Sequence, residues 1–158
     1  MIIISHRGVS NGKDKNLENK PIVVEQRIAE GFNVEIDFWC EGDKFYLGHD
    51  YPDYEININW LVKFSNFLWI HCKNAQSLSY LNSLKNDKLN YFYHENDPYT
   101  ITSKGNIWCF PGSEIINDSV YLFPENYPIN QEIVKNFNLN ICTDYPNRYK
   151  NLFSYHEN

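Results

Sequence analysis

The sequence predicts an α/β fold, a small, shortened or incomplete (β/α)8 barrel of mostly parallel strands, formed by residues 1–158 as one domain. Strands and helices alternate through the first half of the chain, which favours parallel pairing with helical crossovers. Up to eight short apolar runs are typical of core strands. Polar residues follow several of these runs, at the strand ends where barrels build their active sites. Such barrels usually have about 250 residues, so an incomplete or distorted one is expected here.

Caps, turn residues and apolar runs predict the individual elements. Asn19 is expected to cap a helix that begins at Pro21 and ends at Gly31, and Asn74 to cap a later helix. Residues 41–43 predict a turn between two strands. The predicted strands span residues 2–5, 33–38, 44–47, 67–72, 89–93, 99–102, 106–110, 120–123 and 139–143. The other predicted helices span residues 57–64, 75–84 and 131–137.

Composition narrows the classes of partner. The net charge is −6 and no basic stripe is present, which argues against nucleic acid. No stretch approaches the roughly 18 apolar residues of a membrane span, and the start of the chain lacks the pattern of a signal peptide. The four cysteines are widely spaced, which favours free thiols in a reducing cytoplasm. The net charge is compatible with a small phosphate-bearing molecule as partner, which needs only one or two well-placed cations, and the oligomeric state is not predicted.

Glu35 and Asp37 lie two positions apart in the strand predicted at residues 33–38, so both side chains point to one face. We expect that face to be the barrel interior, with Val34 and Ile36 facing the helices. Two carboxylates about 6 Å apart repel by roughly 3 kcal/mol at an effective dielectric of about 20, and a divalent cation removes that cost. The pattern predicts a metal site. A solvent-facing acidic pair on an edge strand is the alternative.

His6 and His49 each follow an apolar run. Arg7 and Gly8 come directly after His6. Glycine allows a sharp turn and close approach of backbone N–H groups to a ligand, and the planar guanidinium of arginine suits a phosphate. Either histidine alone would predict a residue that caps or packs at the edge of the core. Their shared position at strand ends, beside the acidic pair, favours a reaction centre.

Five short motifs occur in a fixed order along the chain. They are His6-Arg7-Gly8, Glu18-Asn19, Glu35-x-Asp37, His49-Asp50 and Thr143-Asp144-Tyr145-Pro146. This set resembles the signature of the glycerophosphodiester phosphodiesterases. The stronger part of the resemblance covers about the first 50 residues.

The resemblance implies a barrel that binds a divalent metal, Mg²⁺ or Ca²⁺ most readily and Mn²⁺ as a further option. It also implies a phosphodiester reaction in which a neighbouring hydroxyl attacks first and water then opens the cyclic phosphate. Imidazoles suit the two proton transfers of such a reaction. The residues implied are His6 and His49 for acid–base catalysis, Arg7 and Lys73 for phosphate contact, and Glu35 and Asp37 for the metal.

The chain departs from the family pattern at the strand predicted over residues 67–72. The family carries Glu-x-Lys there, with the glutamate as a metal ligand, whereas this chain has His71-Cys72-Lys73. An imidazole suits Mn²⁺, Fe²⁺ or Zn²⁺ better than Mg²⁺ or Ca²⁺. His71 is expected either as a metal ligand or as a hydrogen-bonded interior residue. His94, Glu95 and Glu125 are further candidates at strand ends, with His94 assigned to phosphate binding.

The leading hypothesis is a metal-dependent phosphoric diester hydrolase acting on a glycerophosphodiester or a related small alcohol phosphodiester, as in lipid metabolism. A non-catalytic phosphate- or polyol-binding module on the same barrel is the alternative, favoured by the short chain and by His71. A third hypothesis is a metal-free lyase similar to phosphatidylinositol-specific phospholipase C, which stops at the cyclic phosphate. The paired Glu35 and Asp37 count against the third hypothesis.

Overall fold

The computed structural model describes residues 1–154, in which ten strands form one sheet and five helices pack beside it. The strands are β1 (Ile3–His6), β2 (Asn33–Glu41), β3 (Lys44–Leu47), β4 (Tyr54–Ile56), β5 (Leu68–Cys72), β6 (Tyr91–Tyr93), β7 (Tyr99–Ile101), β8 (Ile107–Cys109), β9 (Ser119–Leu122) and β10 (Asn140–Thr143). The helices are α1 (Pro21–Ala29), α2 (Ile58–Phe64), α3 (Ala75–Ser83), α4 (Gln131–Asn136) and α5 (Pro146–Ser154).

The sheet mixes parallel and antiparallel pairs. Parallel pairing joins the strands in the order β6-β5-β2-β1-β10-β9-β8. Antiparallel pairing adds β3 to the second half of β2, β4 to β3, and β7 to β8. Apolar side chains from β1, β5, β6, β8, β9 and β10 pack against one another on one face, so the sheet curls around them.

The predicted parallel (β/α)8 barrel is therefore wrong. A parallel connection needs a crossover of about a dozen residues or more, whereas a hairpin needs only a few. The links at residues 42–43 and 102–106 are too short for a crossover, so the chain reverses there and makes antiparallel pairs. Five helices are formed among residues 1–154, where a complete barrel would have eight. The molecule is a curled mixed sheet that resembles half of a barrel.

Apolar and acidic side chains alternate along β2, so that one face of the strand packs in the core and the other face forms the polar site. Val34, Ile36 and Phe38 are fully buried and pack in the cluster that includes residues of α1, α2 and α3. Glu35 and Asp37 point to the opposite face, inside the curl. The expectation that Val34 and Ile36 face the helices is confirmed.

Most predicted elements are present with shifted ends, and Asn74 caps α3 with its side chain as predicted. The prediction that Asn19 caps α1 is wrong, because Lys20 precedes the helix and Asn19 is used elsewhere. The strand β4 and the helix α5 are additions to the predicted set. None of the helices in residues 1–154 has the length and apolarity needed to cross a bilayer.

Candidate active site

Strand register brings the ionisable residues together at one end of the curled sheet. β1 pairs with β2 so that His6 lies beside Glu35, and β2 pairs with β5 so that Asp37 lies beside His71. Side chains at the same register of neighbouring parallel strands share a face. Ser5 pairs with Thr143 of β10, so Asp144, the residue after Thr143, lies beside His6 as well.

His6 and His49 are each held by a carboxylate. Nδ1 of His6 lies 2.7 Å from Oδ1 of Asp144, and Nδ1 of His49 lies 3.2 Å from Oδ2 of Asp37. Nε2 of His6 faces Glu35 at 3.8 Å, and Nε2 of His49 lies 3.3 Å from NH2 of Arg7. A carboxylate on Nδ1 favours the tautomer with its hydrogen on that nitrogen. Nε2 of His6 is thereby left to exchange a proton with a ligand, whereas Nε2 of His49 accepts from Arg7 and would have to give up that hydrogen bond first.

Burial lowers the pKa of His6, and the charge of Arg7 acts in the same direction, while the bond to Asp144 opposes both. The ring also makes an edge contact with Phe123, with 4.8 Å between centroids. His6 is therefore held in the neutral form and in one orientation.

Asp37 is the centre of the charge network and is fully buried. The Arg7 Nε lies 3.0 Å from its Oδ2, an ion pair in which that N–H is not aligned for a hydrogen bond. The Lys73 Nζ lies 3.5 Å from Oδ1. Burial opposes ionisation of Asp37, but hydrogen bonds from His49 and His71 and the charge of Arg7 outweigh it and hold its pKa well below the usual range.

Asn19 supplies a further part of this network. Its amide Nδ2 donates to Oδ2 of Asp37 at 3.0 Å, and its Oδ1 accepts from the backbone N–H of Asp37 at 2.9 Å. The next residue towards the N-terminus, Glu18, accepts a hydrogen bond from NH1 of Arg7 at 2.9 Å. The Glu18-Asn19 motif therefore orients both the arginine and the central carboxylate.

His71 connects the carboxylates to the far wall. Its Nε2 lies 2.9 Å from the backbone oxygen of His94. A carbonyl oxygen only accepts, so Nε2 carries a hydrogen. Nδ1 faces Asp37 Oδ1 at 3.1 Å and Glu35 Oε1 at 3.9 Å. In one state of the ring, Nδ1 also carries a hydrogen and His71 is a cation. In the other state, the lone pair of Nδ1 points at two carboxylates, and a cation is required between the ring and these carboxylates.

Glu35, Asp37 and His71 form a three-donor cluster that fits a divalent metal. One ligand atom from each lies within 4.8 Å of the others, and the two carboxylates are buried. Two oxygens and one nitrogen form a mixed donor set, which suits Mn²⁺ better than Mg²⁺ or Ca²⁺. When His71 carries its hydrogen on Nε2 alone, the lone pair of Nδ1 points at carboxylate oxygens, and a metal bound there would satisfy it in place of the hydrogen bond to Asp37.

Glu35 titrates unusually in this setting. Burial and the charge of Asp37 raise its pKa to about 8, and the charges of Arg7 and Lys73 only partly offset this. The ordinary value is 4.5. The metal-free protein therefore holds a proton on Glu35 at neutral pH, and the folded state binds that proton more tightly than the unfolded chain does.

We expect the Glu35 proton to make stability fall as pH rises. Its contribution is complete below pH 4.5 and is lost as pH rises towards 8, on the order of 1 kcal/mol per pH unit. Urea unfolding in the presence of a chelator, at intervals from pH 5 to 8, measures this loss. Glu35→Gln should abolish this fall and leave the opposite, rising trend that the lowered pKa of His6 produces, whereas Glu41→Gln, at the exposed end of the same strand, should keep the fall. Equal slopes in Glu35→Gln and the unaltered protein would contradict the assignment.

The polar cluster opens into a cavity of about 380 Å³. His6, Arg7, Glu35, His49, His71, Lys73 and His94 all line it, so seven of the eight predicted site residues reach one space. Asp37, the eighth, is fully buried and does not line the cavity itself. A second cavity of about 320 Å³ shares Arg7 and His49 and adds Lys13 and Lys15 on its wall.

The structure changes the role of Glu125 and adds Asp144. Glu125 does not line the cavity; its carboxylate accepts from the Thr143 hydroxyl at 2.8 Å and from the Asp144 backbone N–H at 2.9 Å. It therefore fixes the turn that presents Asp144 to His6. The sequence places Asp144 in the last of the five motifs but does not predict its contact with His6. Its position directly after an apolar strand was the signal that could have found it.

Gly48 positions His49. A Cβ on Gly48 would lie 2.0 Å from the backbone oxygen of Tyr51 and 2.9 Å from the backbone N of Asp53. Only glycine allows this close approach. The loop that follows β3 can therefore fold back and place the ring of His49 over Asp37.

Comparison with known proteins identifies no family for this chain. No family model matches it, and neither the curated proteins nor the solved structures show a significant match. The class of site is therefore defined by its own residues: two imidazole–carboxylate pairs, two basic side chains and a carboxylate–imidazole cluster around one cavity. The resemblance to glycerophosphodiester phosphodiesterases stays a prediction that rests on the five motifs.

Proposed function

We propose that the chain is a metal-dependent phosphodiesterase that hydrolyses a glycerophosphodiester or a related small alcohol phosphodiester. The observation that supports this most directly is the pair of imidazoles, His6 and His49. Each has a carboxylate on Nδ1, and both rings line the same cavity; Nε2 of His6 faces the cavity wall at Glu35, while Nε2 of His49 accepts from Arg7 until a ligand takes that N–H. Cleavage of a phosphodiester needs one group that accepts a proton and one that donates a proton.

The charges around the cavity suit a phosphate. Arg7 and Lys73 lie on its wall, and a phosphate oxygen beside them would gain charge-assisted hydrogen bonds. One imidazole accepts the proton of a neighbouring substrate hydroxyl as its oxygen bonds to phosphorus, and the other protonates the leaving alcohol as its bond to phosphorus breaks. The cyclic phosphate is then opened by water, with the two proton transfers reversed.

Glu35, Asp37 and His71 would hold the metal. When bound, it would stabilise negative charge on the phosphoryl oxygens. Mg²⁺ and Ca²⁺ are the ions that the family resemblance implies, whereas the imidazole among the donors favours Mn²⁺. Binding of the metal would displace the proton from Glu35, so the affinity for metal should rise with pH.

The proposal includes a small-molecule partner and a reducing compartment such as the cytoplasm. All four cysteines, Cys40, Cys72, Cys109 and Cys142, are buried and unpaired. Unpaired buried thiols are usual in a reducing compartment.

An assay of product release tests the activity. Glycerophosphodiesters are incubated with the chelated protein and with Mg²⁺, Ca²⁺ or Mn²⁺, and glycerol 3-phosphate, free alcohol and cyclic phosphate are measured separately. We expect metal-stimulated release of a phosphomonoester. Metal-independent turnover that stops at the cyclic phosphate would instead support the lyase, and ligand binding without turnover would support the non-catalytic module.

A further inference from the structure

We propose that Trp39 is a positioning residue for His49: its indole N–H fixes the chain segment that carries this imidazole over Asp37. The inference extends the proposed function, and its expected effect on turnover rests on that function. Its expected effect on the His49 ring does not depend on the reaction.

His49 lies outside the regular elements, so its position needs support from neighbouring residues. It is the second residue after β3, in the segment that leads to β4. Its backbone forms no hydrogen bond within residues 1–154. Its ring contacts Asp37 through Nδ1 and Arg7 through Nε2, while 36% of the side chain stays exposed. The place from which the ring reaches Asp37 is therefore set by the preceding residue, Gly48.

Gly48 is bound to β2 through both of its backbone polar groups. Its N–H donates to the backbone oxygen of Asp37 at 3.1 Å, and its own oxygen accepts from Nε1 of Trp39 at 2.6 Å. The first bond continues the antiparallel pairing of β2 with β3 by one position. The second bond comes from a side chain, so a substitution can remove it while the backbone pairing remains.

The position of Trp39 in β2 explains why it can make this bond. Side chains alternate between the two faces of a strand, so Trp39 lies on the face that carries Glu35 and Asp37. A half-buried indole N–H usually has a hydrogen-bond partner. Because its partner is the oxygen of Gly48, the segment that carries His49 is attached to the same strand that supplies the Asp37 carboxylate.

The loss of this bond should affect proton transfer more than substrate affinity. A catalytic group that is displaced by a fraction of an ångström loses rate, because its reacting atom is no longer aligned. The proposed phosphate contacts, Arg7 and Lys73, follow β1 and β5 and make no hydrogen bond to Trp39 or Gly48 within residues 1–154. They should keep their positions when the indole N–H is removed.

Trp39→Phe removes the N–H and keeps an aromatic ring, and Trp60→Phe is the matched control. Trp60 is also half-buried, and its Nε1 donates to Oε1 of Glu25 at 2.7 Å, between α2 and α1 and away from the cavity. With a glycerophosphodiester as substrate, we expect kcat to fall about five- to tenfold in Trp39→Phe with KM changed less than about twofold. Trp60→Phe should keep the original kcat. An equal kcat in the two variants would overturn the inference.

Nuclear magnetic resonance follows the His49 ring without turnover. Proton–nitrogen correlation spectra of ¹⁵N-labelled protein report which ring nitrogen carries the hydrogen. We expect the His49 signals to move towards a mixture of the two tautomers in Trp39→Phe, and to stay unchanged in Trp60→Phe. The His6 signals should be the same in both variants. A packing role alone would lower the free energy of unfolding without altering the His49 ring, so unchanged His49 signals in Trp39→Phe would overturn the inference.

Replacement of Trp39 by 3-benzothienylalanine keeps the test decisive if Trp39→Phe folds poorly. This side chain has nearly the shape of the indole and carries sulfur in place of the N–H. It should alter the His49 signals as Trp39→Phe does. His49 signals identical to those of the unaltered protein would mean that the N–H does not position the ring.

Turnover separates this inference from the proposed function. Altered His49 signals in a protein that cleaves no diester with any of the three metals support the positioning role and contradict the phosphodiesterase. Turnover that falls in His49→Gln but not in Trp39→Phe supports the phosphodiesterase and overturns the positioning role.

Discussion

Replacement of His6 by glutamine should lower phosphodiester turnover by a factor of about 10² to 10⁴ while the protein stays folded. General acid–base catalysis contributes a factor of this size, and glutamine has no titrating group. The ring is mostly buried and contacts Asp144 and Phe123, so glutamine fills much of its volume. The initial rate at saturating substrate, with circular dichroism to check folding, measures the effect. His49→Gln should also lower turnover, because Nδ1 of its ring is likewise held by a carboxylate and the ring lines the same cavity.

Asp144→Asn provides the internal comparison for His6. It keeps the shape of the side chain but removes the negative charge 2.7 Å from Nδ1. We expect a smaller loss than in His6→Gln, since the imidazole remains but its tautomer and orientation are no longer fixed. Asp43→Asn, in the exposed turn between β2 and β3, is the matched control and should retain full activity. More than a tenth of the original rate in His6→Gln would contradict an acid–base role.

Local patterns predicted the elements that depend on local physics. The strand over residues 33–38, the return strand after the 41–43 turn and the cap at Asn74 each follow from neighbouring residues, and each is present. The alternation of β2 was enough to place Glu35 and Asp37 on one face. What the local patterns did not give was the direction of the pairing between β7 and β8, because the link between them is too short for the crossover that the predicted barrel required.

The errors at the site come from contacts between distant residues. Asn19 is a residue type that often caps helices, but its backbone adopts φ +60° and its amide donates to Asp37, 18 residues away. Asp144 reaches His6 across 138 residues, through the register of β1 and β10. Neither partner can be read from the neighbouring sequence. The sequence indicated which residues are polar at strand ends, and the register decided which of them meet.

Asp37 is the residue whose loss should cost the most stability, because it lies between two cations inside the protein. Arg7 and Lys73 both neutralise it, and Asn19 donates to the same carboxylate. Asp37→Asn keeps the shape but removes the carboxylate that the ammonium of Lys73 faces and leaves Glu18 to neutralise the guanidinium of Arg7. Breaking a buried ion pair by removing one partner typically costs about 3–5 kcal/mol, a large share of the roughly 5–15 kcal/mol that holds a domain folded.

Urea unfolding of Asp37→Asn, Arg7→Met and the double variant tests this dependence. If the cost of Asp37→Asn comes from the lost ion pair with Arg7, the double variant loses less free energy of unfolding than the two single variants combined. Asp43→Asn, at the exposed turn, should change the free energy of unfolding by less than about 0.5 kcal/mol. A loss below about 1 kcal/mol in Asp37→Asn, or simple additivity in the double variant, would mean that water reaches this carboxylate and screens it. Under that result Asp37 would not be the water-excluded carboxylate that orients His49, and the arrangement of the candidate active site would have to be explained differently.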